Sequence, residues 1–276
     1  MKIFLAIVSI LFLGLAPVSE MKSSYGHIKA YFVIEKIKIA SDYFEENDEI
    51  LVDLNIQLED MAYMKASSFI MMHHKGETYL STSDHVCTEI KDFVTNKKFK
   101  TLGNKLLESM SNSSLSMFND QTLNLYMITP KVFVYDFEGK KYLLKDFVLS
   151  KPEKDMCVIK TESVWGKKVN LAKKDCSYEV IYNMSSSGGY YYPNSVPLRQ
   201  GFMNGIVEHQ EIDNKVFKDV NLYTLNVQPG SSGSAVFNEK GEVCGTVNIA
   251  YVKVDLSSGN SLSDLKFLFE KIKSTL

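Results

Sequence analysis

Hydrophobic and polar residues alternate over most of this chain, and this period-two pattern predicts β-strands with one buried face. The clearest case is residues 52–58, in which every second side chain is aliphatic. Similar stretches follow, separated by turn residues, at 68–72, 78–82, 131–137, 140–149, 155–161, 178–183, 201–209, 215–225, 234–238 and 242–254. A long series of short strands with turns between them predicts an all-β fold, either a sandwich or a barrel.

Glycines in short polar segments mark three hairpins within this series. Gly76 separates the stretches 68–72 and 78–82, and Gly139 separates the next two. Gly241 separates 234–238 from 242–254. Each arrangement has the composition of a tight turn between two paired strands.

Two segments depart from the strand pattern. Residues 96–122 lack alternation and carry leucines at helical spacing, which predicts a helical or loop insertion. Residues 259–276 contain Ser261 followed three residues later by Asp264, a variant of the capping box. An apolar stripe then predicts a C-terminal amphipathic helix, with Leu265, Leu268, Phe269 and Ile272 on its buried face.

The N-terminus has the pattern of an export signal. Lys2 precedes an apolar run at residues 3–16, which has the length of a signal core and is short for a membrane span. We therefore predict that residues 1–19 are a signal peptide, with an uncleaved membrane tether through residues 3–16 as the alternative. Either way the body of the protein is expected to be exported, periplasmic or extracellular, and residues 20–45 form an N-terminal segment of undecided role.

Charge and cysteine content exclude some functions. The chain has 31 basic and 33 acidic residues, a net charge of −2, which disfavours nucleic acid as a partner. Its four cysteines, Cys87, Cys157, Cys176 and Cys244, include no close pair of the kind that binds zinc, so we predict neither a metal site nor another cofactor. Four cysteines allow two disulfides, but the apolar residues around three of them favour buried free thiols.

The strongest local signal for chemistry is the segment 229–245, PGSSGSAVFNEKGEVCG. Small residues crowd around Ser232 and a hairpin strand then leads away. A serine nucleophile needs such crowding, because the N–H groups of Gly230 and Ser232 must converge on a developing oxyanion. A glycine- and serine-rich hairpin loop without chemistry is the plainer alternative.

Two further segments complete a set of roles. In TYLSTSDHVC a strand delivers His85 onto a short turn, and in KDMCVIK Asp155 opens an apolar strand. A lone histidine or aspartate is more often structural. Together, however, the residues run His, Asp, Ser along an all-β chain, which are the base, the orienting carboxylate and the nucleophile of a serine hydrolase.

In their order these segments resemble the trypsin-like serine proteases, most closely the bacterial Deg/HtrA-type and glutamyl-endopeptidase-like branches. The resemblance implies two packed antiparallel β-barrels, with His85 as general base, Asp155 holding the imidazole and Ser232 as nucleophile. It also implies an oxyanion hole from the backbone of Gly230 and Ser232, and a polypeptide substrate cut through an acyl-enzyme.

The same resemblance sets the expected domain boundaries. The first barrel would span residues 46–165, interrupted by the insertion 96–122, and would carry His85 and Asp155. The second would span 166–258 and carry Ser232, with the helix 259–276 after it. No PDZ domain of the Deg type is expected.

Substrate preference is expected from the residues that line the family's primary pocket. Here these are Asn226, Val227, Val247 and Asn248, within the stretches 223–227 and 247–250. Neither stretch contains an acidic residue, a histidine or a lysine, so we expect cleavage after a neutral or apolar residue. A non-catalytic binding protein of the same fold is the alternative function, and a serine esterase is a third; the oligomeric state is left open.

Overall fold

The structure is a computed structural model that describes residues 16–41, 50–57, 62–95, 121–212 and 215–276. The predicted signal or tether at 3–16 and the predicted insertion at 96–122 lie almost wholly outside these residues. Among the helices that the structure does describe, none combines the length and the apolar composition needed to cross a membrane.

The N-terminal half forms a seven-stranded antiparallel sheet preceded by helix α1 (Ala16–Ser24). Its strands are β1 (Tyr25–Ser41), β2 (Ile50–Gln57), β3 (Met64–His74), β4 (Glu77–Thr82), β5 (Gln121–Tyr135), β6 (Lys141–Lys151) and β7 (Met156–Glu162). Their order is β2-β1-β3-β4-β7-β6-β5, and β1 also pairs with β5, so the sheet closes on itself. Helix α2 (Asp84–Thr95) follows β4.

The C-terminal half forms a second seven-stranded sheet that curls as a half-barrel. Its strands are β8 (Val180–Met184), β9 (Leu198–Ile212), β10 (Lys215–Tyr223), β11 (Ser234–Phe237), β12 (Val243–Val247), β13 (Ile249–Tyr251) and β14 (Leu256–Gly259). The order is β12-β11-β8-β9-β10-β14-β13. The predicted all-β, trypsin-like fold of two barrels is confirmed.

The three predicted hairpins and the C-terminal helix are confirmed in detail. The turns at Gly76, Gly139 and Gly241 connect β3 to β4, β5 to β6 and β11 to β12. Helix α3 (Leu262–Thr275) begins with the expected capping box, in which Ser261 Oγ accepts from the backbone N–H of Asp264. Its buried residues Leu265, Leu268 and Ile272 pack into a core that also takes side chains from both sheets, among them Phe69, Val158, Ala235 and Phe237.

Local structure differs from the sequence pattern in two places near the site. The chain after β4 was expected to carry His85 on a short turn, but α2 begins at Asp84, so His85 lies in the first turn of a helix. The stretch 242–254, expected as one strand, divides into β12, β13 and a turn of 3₁₀-helix at Val252–Val254. The chain between the two strands is held by Thr246 Oγ1, which donates to Asn248 Oδ1 at 2.7 Å.

The described part of the segment 20–45, residues 20–41, contributes to the fold as well. Met21 of α1 and Tyr25 of β1 are buried in the core, and β1 belongs to the first sheet.

The prediction of free thiols is wrong. Cys87 and Cys157 form one disulfide, with their Cα atoms 6.4 Å apart, and Cys176 and Cys244 form another at 5.9 Å. Apolar neighbours in the sequence indicate burial, which disulfide sulfurs share with free thiols. The partners are about 70 residues apart along the chain, so only the sheet pairing brings them together.

The chain divides into two compact units. One comprises the residues up to Ile28, Lys65–Thr88 and Phe133–Leu276, and it contains every residue of the site described below. The other comprises Lys29–Met64 and Glu89–Val132.

Candidate active site

His85 and Asp155 form a closely bonded pair. Asp155 Oδ2 lies 2.9 Å from His85 Nδ1, and Asp155 Oδ1 accepts the backbone N–H of His85 at 2.9 Å. Because an ionised carboxylate only accepts hydrogen bonds, Nδ1 is the protonated nitrogen. The neutral ring then presents Nε2 as an acceptor, and the histidine side chain is 43% exposed.

The fold aims the carboxylate by an unusual backbone conformation. Asp155 lies between a turn of 3₁₀-helix (Pro152–Lys154) and β7, with φ +47° and its N–H bonded to the carbonyl of Pro152. An L-residue rarely adopts a left-handed conformation, and such strain is maintained only where surrounding contacts hold it. Here those contacts are the three hydrogen-bond donors to its carboxylate and the disulfide between Cys87 and Cys157. The two cysteines lie two residues after His85 and two residues after Asp155.

The third donor to Asp155 comes from Asn248. Its Nδ2 donates to Asp155 Oδ2 at 3.1 Å and to the Asp155 carbonyl at 2.6 Å. Burial by itself would raise the pKa of Asp155, but the hydrogen bonds and charge of His85, together with the Asn248 amide, hold that pKa below its usual range. Asp155 therefore stays ionised while the ring beside it gains or loses a proton.

Ser232 lies next to the same asparagine. Its hydroxyl donates to the Asn248 carbonyl at 3.4 Å, and its own carbonyl accepts from the Ser67 N–H at 3.1 Å. Asn248 thus contacts both the carboxylate and the serine. The three predicted residues, His85, Asp155 and Ser232, belong to one connected hydrogen-bonded group.

Glycine at 233 is required by contact as well as by backbone angle. Its φ is +83°, and a Cβ there would lie 2.3 Å from Thr82 Oγ1 and 2.6 Å from the Ser67 carbonyl. Thr82 is the last residue of β4, three residues before His85. The serine turn is therefore packed directly on the strand that leads to the histidine.

The loop before Ser232 is fixed by its carbonyl groups. The Pro229 carbonyl accepts from the N–H of Gly188 at 2.7 Å, and the Gly230 carbonyl accepts from the hydroxyls of Ser67 at 2.9 Å and Ser186 at 3.1 Å. Within the described part of the chain, the N–H groups of Gly230 and Ser232 donate to no protein acceptor.

The predicted pocket residues have different surroundings from one another. Val227 and Val247 are buried in the core of the second sheet, and Asn226 is exposed. Asn248, expected in the pocket wall, instead bonds Asp155 and Ser232.

Sequence reasoning missed Ser67 and Ser186, which hold the Gly230 carbonyl. No spacing or composition distinguishes them from the chain's other serines. Among the described residues, no cluster of three histidine, cysteine or acidic side chains is placed to hold a metal ion.

Comparison with known proteins supports the fold. No family model matches the chain, and no curated protein matches it by sequence. A solved structure of Rv3671c from M. tuberculosis H37Rv, an inactive form of a serine-to-alanine mutant, matches with a TM-score of 0.55 at 12% identity. The match covers 96% of this chain and 93% of that one. At this identity the likeness establishes the fold alone, a chymotrypsin-like arrangement of two β-barrels.

Proposed function

We propose that this protein is a serine endopeptidase. The observation that carries the proposal is the position of Asn248. Its side-chain amide donates to the carboxylate of Asp155, and its backbone carbonyl accepts from the hydroxyl of Ser232. A serine, an imidazole and a buried carboxylate in one connected group are the parts that acyl transfer requires.

The proposed chemistry is the acyl transfer of a serine hydrolase. His85 Nε2 takes the proton of Ser232 Oγ as that oxygen attacks a peptide carbonyl, and Asp155 stabilises the imidazolium that forms. The oxyanion of the tetrahedral intermediate accepts from the N–H groups of Gly230 and Ser232, which have no other acceptor in the described structure. The imidazolium then protonates the leaving amine, and water attacks the acyl-enzyme by the same route in reverse.

The sheet edge beside this group supports a polypeptide as the substrate. Strand β13 begins immediately after Asn248 and is the last strand of the second sheet, paired on one side with β14. An edge strand offers backbone groups to which a substrate strand can bond. This favours a peptide over a small ester as substrate.

Export of the protein is part of the proposal. Disulfides persist in oxidising compartments, so the two found here are compatible with a periplasmic or extracellular location. Membership of the Deg/HtrA-type or glutamyl-endopeptidase-like branch stays a prediction from sequence. So does the neutral cleavage preference, which depended on the lack of acidic residues, histidine and lysine in the stretches 223–227 and 247–250.

Labelling with a fluorophosphonate probe tests the function. We expect the probe on Ser232, mapped by mass spectrometry, with labelling lost in Ser232→Ala and in His85→Ala. His73→Ala is the matched histidine control, because His73 Nδ1 lies 3.2 Å from Thr78 Oγ1 on the β3–β4 hairpin and takes no part in the group above. Hydrolysis of an unfolded protein substrate would then separate an endopeptidase from an esterase.

Two results would contradict the proposal. Label found on the neighbouring Ser234 would show that Ser232 is not the nucleophile. A folded protein that takes up no label would favour the non-catalytic binding protein of the same fold.

A further inference from the structure

The turn that precedes Asp155 is not held by the hydrophobic core. It is a single turn of 3₁₀-helix, Pro152–Lys154, and none of its residues is buried. Asp155 follows it in a left-handed conformation, with φ +47°. Because such a conformation is strained, contacts with the surrounding structure must keep it in place. Since the turn itself buries no side chain, its polar contacts are the ones that can hold it.

One side chain of the turn makes such contacts with two distant elements. Lys154 Nζ lies 2.9 Å from Asp264 Oδ1 in the first turn of α3, and it donates to the Lys218 carbonyl of β10 at 3.1 Å. The side chains of the ion pair are 30% and 13% exposed, so solvent screens this pair less than one on the open surface. The ammonium therefore joins the turn to the C-terminal helix and to the second sheet.

The carboxylate that receives this ammonium is itself held at a fixed position. Asp264 Oδ2 accepts from the N–H of Ser261 at 3.2 Å and from its hydroxyl at 2.8 Å, as part of the capping box at the start of α3. Helix α3 is anchored in turn by Leu265 and Leu268, which are buried in the core. A fixed helix end therefore presents a negative charge to the turn beside Asp155.

We propose that Lys154 is a positioning residue for catalysis, because its ion pair with Asp264 holds the turn in the conformation that presents the Asp155 carboxylate to His85. The inference rests on the proposed function. Lys154 directly precedes Asp155, whose N–H closes the turn by bonding to the Pro152 carbonyl at 3.1 Å. A turn released from α3 and β10 can relax from its strained conformation, which moves the carboxylate away from the imidazole. A displacement of about 1 Å in a catalytic group can lower turnover about 100-fold.

Lys154→Met tests the proposal, because it removes the ammonium and keeps a side chain of similar length. We expect kcat on a peptide substrate to fall by about 10- to 100-fold, with KM little changed. The acid limb of the pH profile of kcat/KM reports the pKa of His85. A carboxylate that has moved away stabilises the imidazolium less, so this limb should shift to lower pH by about half a unit or more. Lys154→Arg keeps a positive charge and should retain most of the activity.

Lys151→Met is the matched control. Lys151 comes directly before the same turn and its side chain is also 30% exposed, but it pairs with the exposed Glu153 of that turn, 3.5 Å away. Its ammonium also lies 5.5 Å from the ring centre of the exposed Phe267. This variant should keep the wild-type kcat and pH profile. Equal effects of the two methionine variants would mean that any loss of charge near the turn matters, and would overturn the role of the Lys154–Asp264 pair.

Asp264→Asn breaks the same pair from the helix side, while its amide oxygen can still accept the N–H of Ser261. It should reproduce the kinetic changes of Lys154→Met. The double variant should lose little more than either single one, because each single substitution already breaks the pair. Losses that multiply in the double variant would contradict a coupling of the two residues through one ion pair.

Fluorophosphonate labelling at completion counts the competent sites and separates the possible failures. Activity is expressed per labelled molecule, so a variant that is only less stable keeps its kcat and its acid limb, and this result overturns the inference. Should either Lys154→Met or Asp264→Asn fail to fold by circular dichroism, the other decides. Wild-type protein that takes no label overturns the proposed function, and the inference with it. Labelled wild-type protein whose kcat both variants share overturns the inference alone.

Discussion

The His85–Asp155 pair and the Ser232 loop are held in place by different kinds of bond. In the pair, the ionised carboxylate of Asp155 accepts three hydrogen bonds, and the Cys87–Cys157 disulfide joins the chain two residues after each member. The loop is held by backbone contacts and by neutral serine hydroxyls, with no charged group among the contacts of its carbonyls. Charge and covalent bonding are therefore concentrated on one side of the site.

This difference has a physical consequence. Bonds to a charged group are stronger than neutral ones, and they depend on pH. The neutral network of the loop depends instead on close packing of small residues, because a Cβ at either Gly230 or Gly233 would collide with neighbouring backbone. We expect the pair to be sensitive to charge, redox state and acid, and the loop to be sensitive to the addition of a single carbon atom.

Asp155→Asn is expected to have the largest effect. It removes the charge from the pair and allows the wrong ring tautomer, and in trypsin-like proteases the equivalent change lowers turnover about 10⁴-fold. The measurement is kcat on a peptide substrate. Asp136→Asn is the control, because Asp136 bonds the N–H groups of Glu138 and Lys140 in the β5–β6 turn. Equal losses from the two variants would exclude Asp155 from the mechanism.

The two disulfides provide the next comparison. They close segments of nearly equal length, with separations of 70 and 68 residues, so alanine at both cysteines of either bond should lower the free energy of unfolding by about 4 kcal/mol. Chemical denaturation measures this loss. Turnover should fall when Cys87 and Cys157 are replaced, and should be kept when Cys176 and Cys244 are replaced. Equal turnover in the two double variants would show that the His85–Asp155 pair does not need the Cys87–Cys157 disulfide.

Gly230→Ala tests the packing of the loop. The new Cβ would lie 2.5 Å from the Ser186 carbonyl, with φ at +96°, so the loop must move and its N–H groups no longer point at the proposed oxyanion. We expect turnover to fall by about 10²- to 10³-fold, as when an oxyanion donor is lost. Gly76→Ala matches it in backbone strain, with φ +80°, but has open space around the Cβ and should keep its activity. Retained turnover in Gly230→Ala would remove this loop from catalysis.

Acid provides the smallest expected effect. The pKa of Asp155 is lower in the folded protein than in the unfolded chain, so its contribution to stability is present above the unfolded value, near pH 4. It is lost as the pH falls through the folded value. Unfolding free energies of wild type and Asp155→Asn, measured from pH 6 down to pH 2, should therefore converge. A difference that stays constant over this range would contradict the lowered pKa.

Much of the fold could be predicted because its signals are local. The hairpins at Gly76, Gly139 and Gly241 and the cap of α3 depend on residues that are neighbours in the chain. Helix α2 had a local signal too, since Val86, Ile90 and Phe93 recur at helical spacing and all three are buried. The strand before it and the family pattern around His85 outweighed that signal.

The partners of the site residues could not be predicted. Asn248 appeared in the sequence as a pocket residue, and its bonds to Asp155 exist because β7 and the chain between β12 and β13 meet in space. Ser67 and Ser186 contact the Gly230 carbonyl from residues far away along the chain. Contacts of this kind leave no periodicity for a sequence to display.

The sequence by itself determined the β-rich architecture, its turns, the C-terminal helix and the candidate residues His85, Asp155 and Ser232, because alternation, turn chemistry and short motifs are properties of adjacent residues. Tertiary structure alone decided the pairing of the four cysteines and the role of Asn248. Each of these depends on sheet register, which brings together residues that the chain keeps far apart.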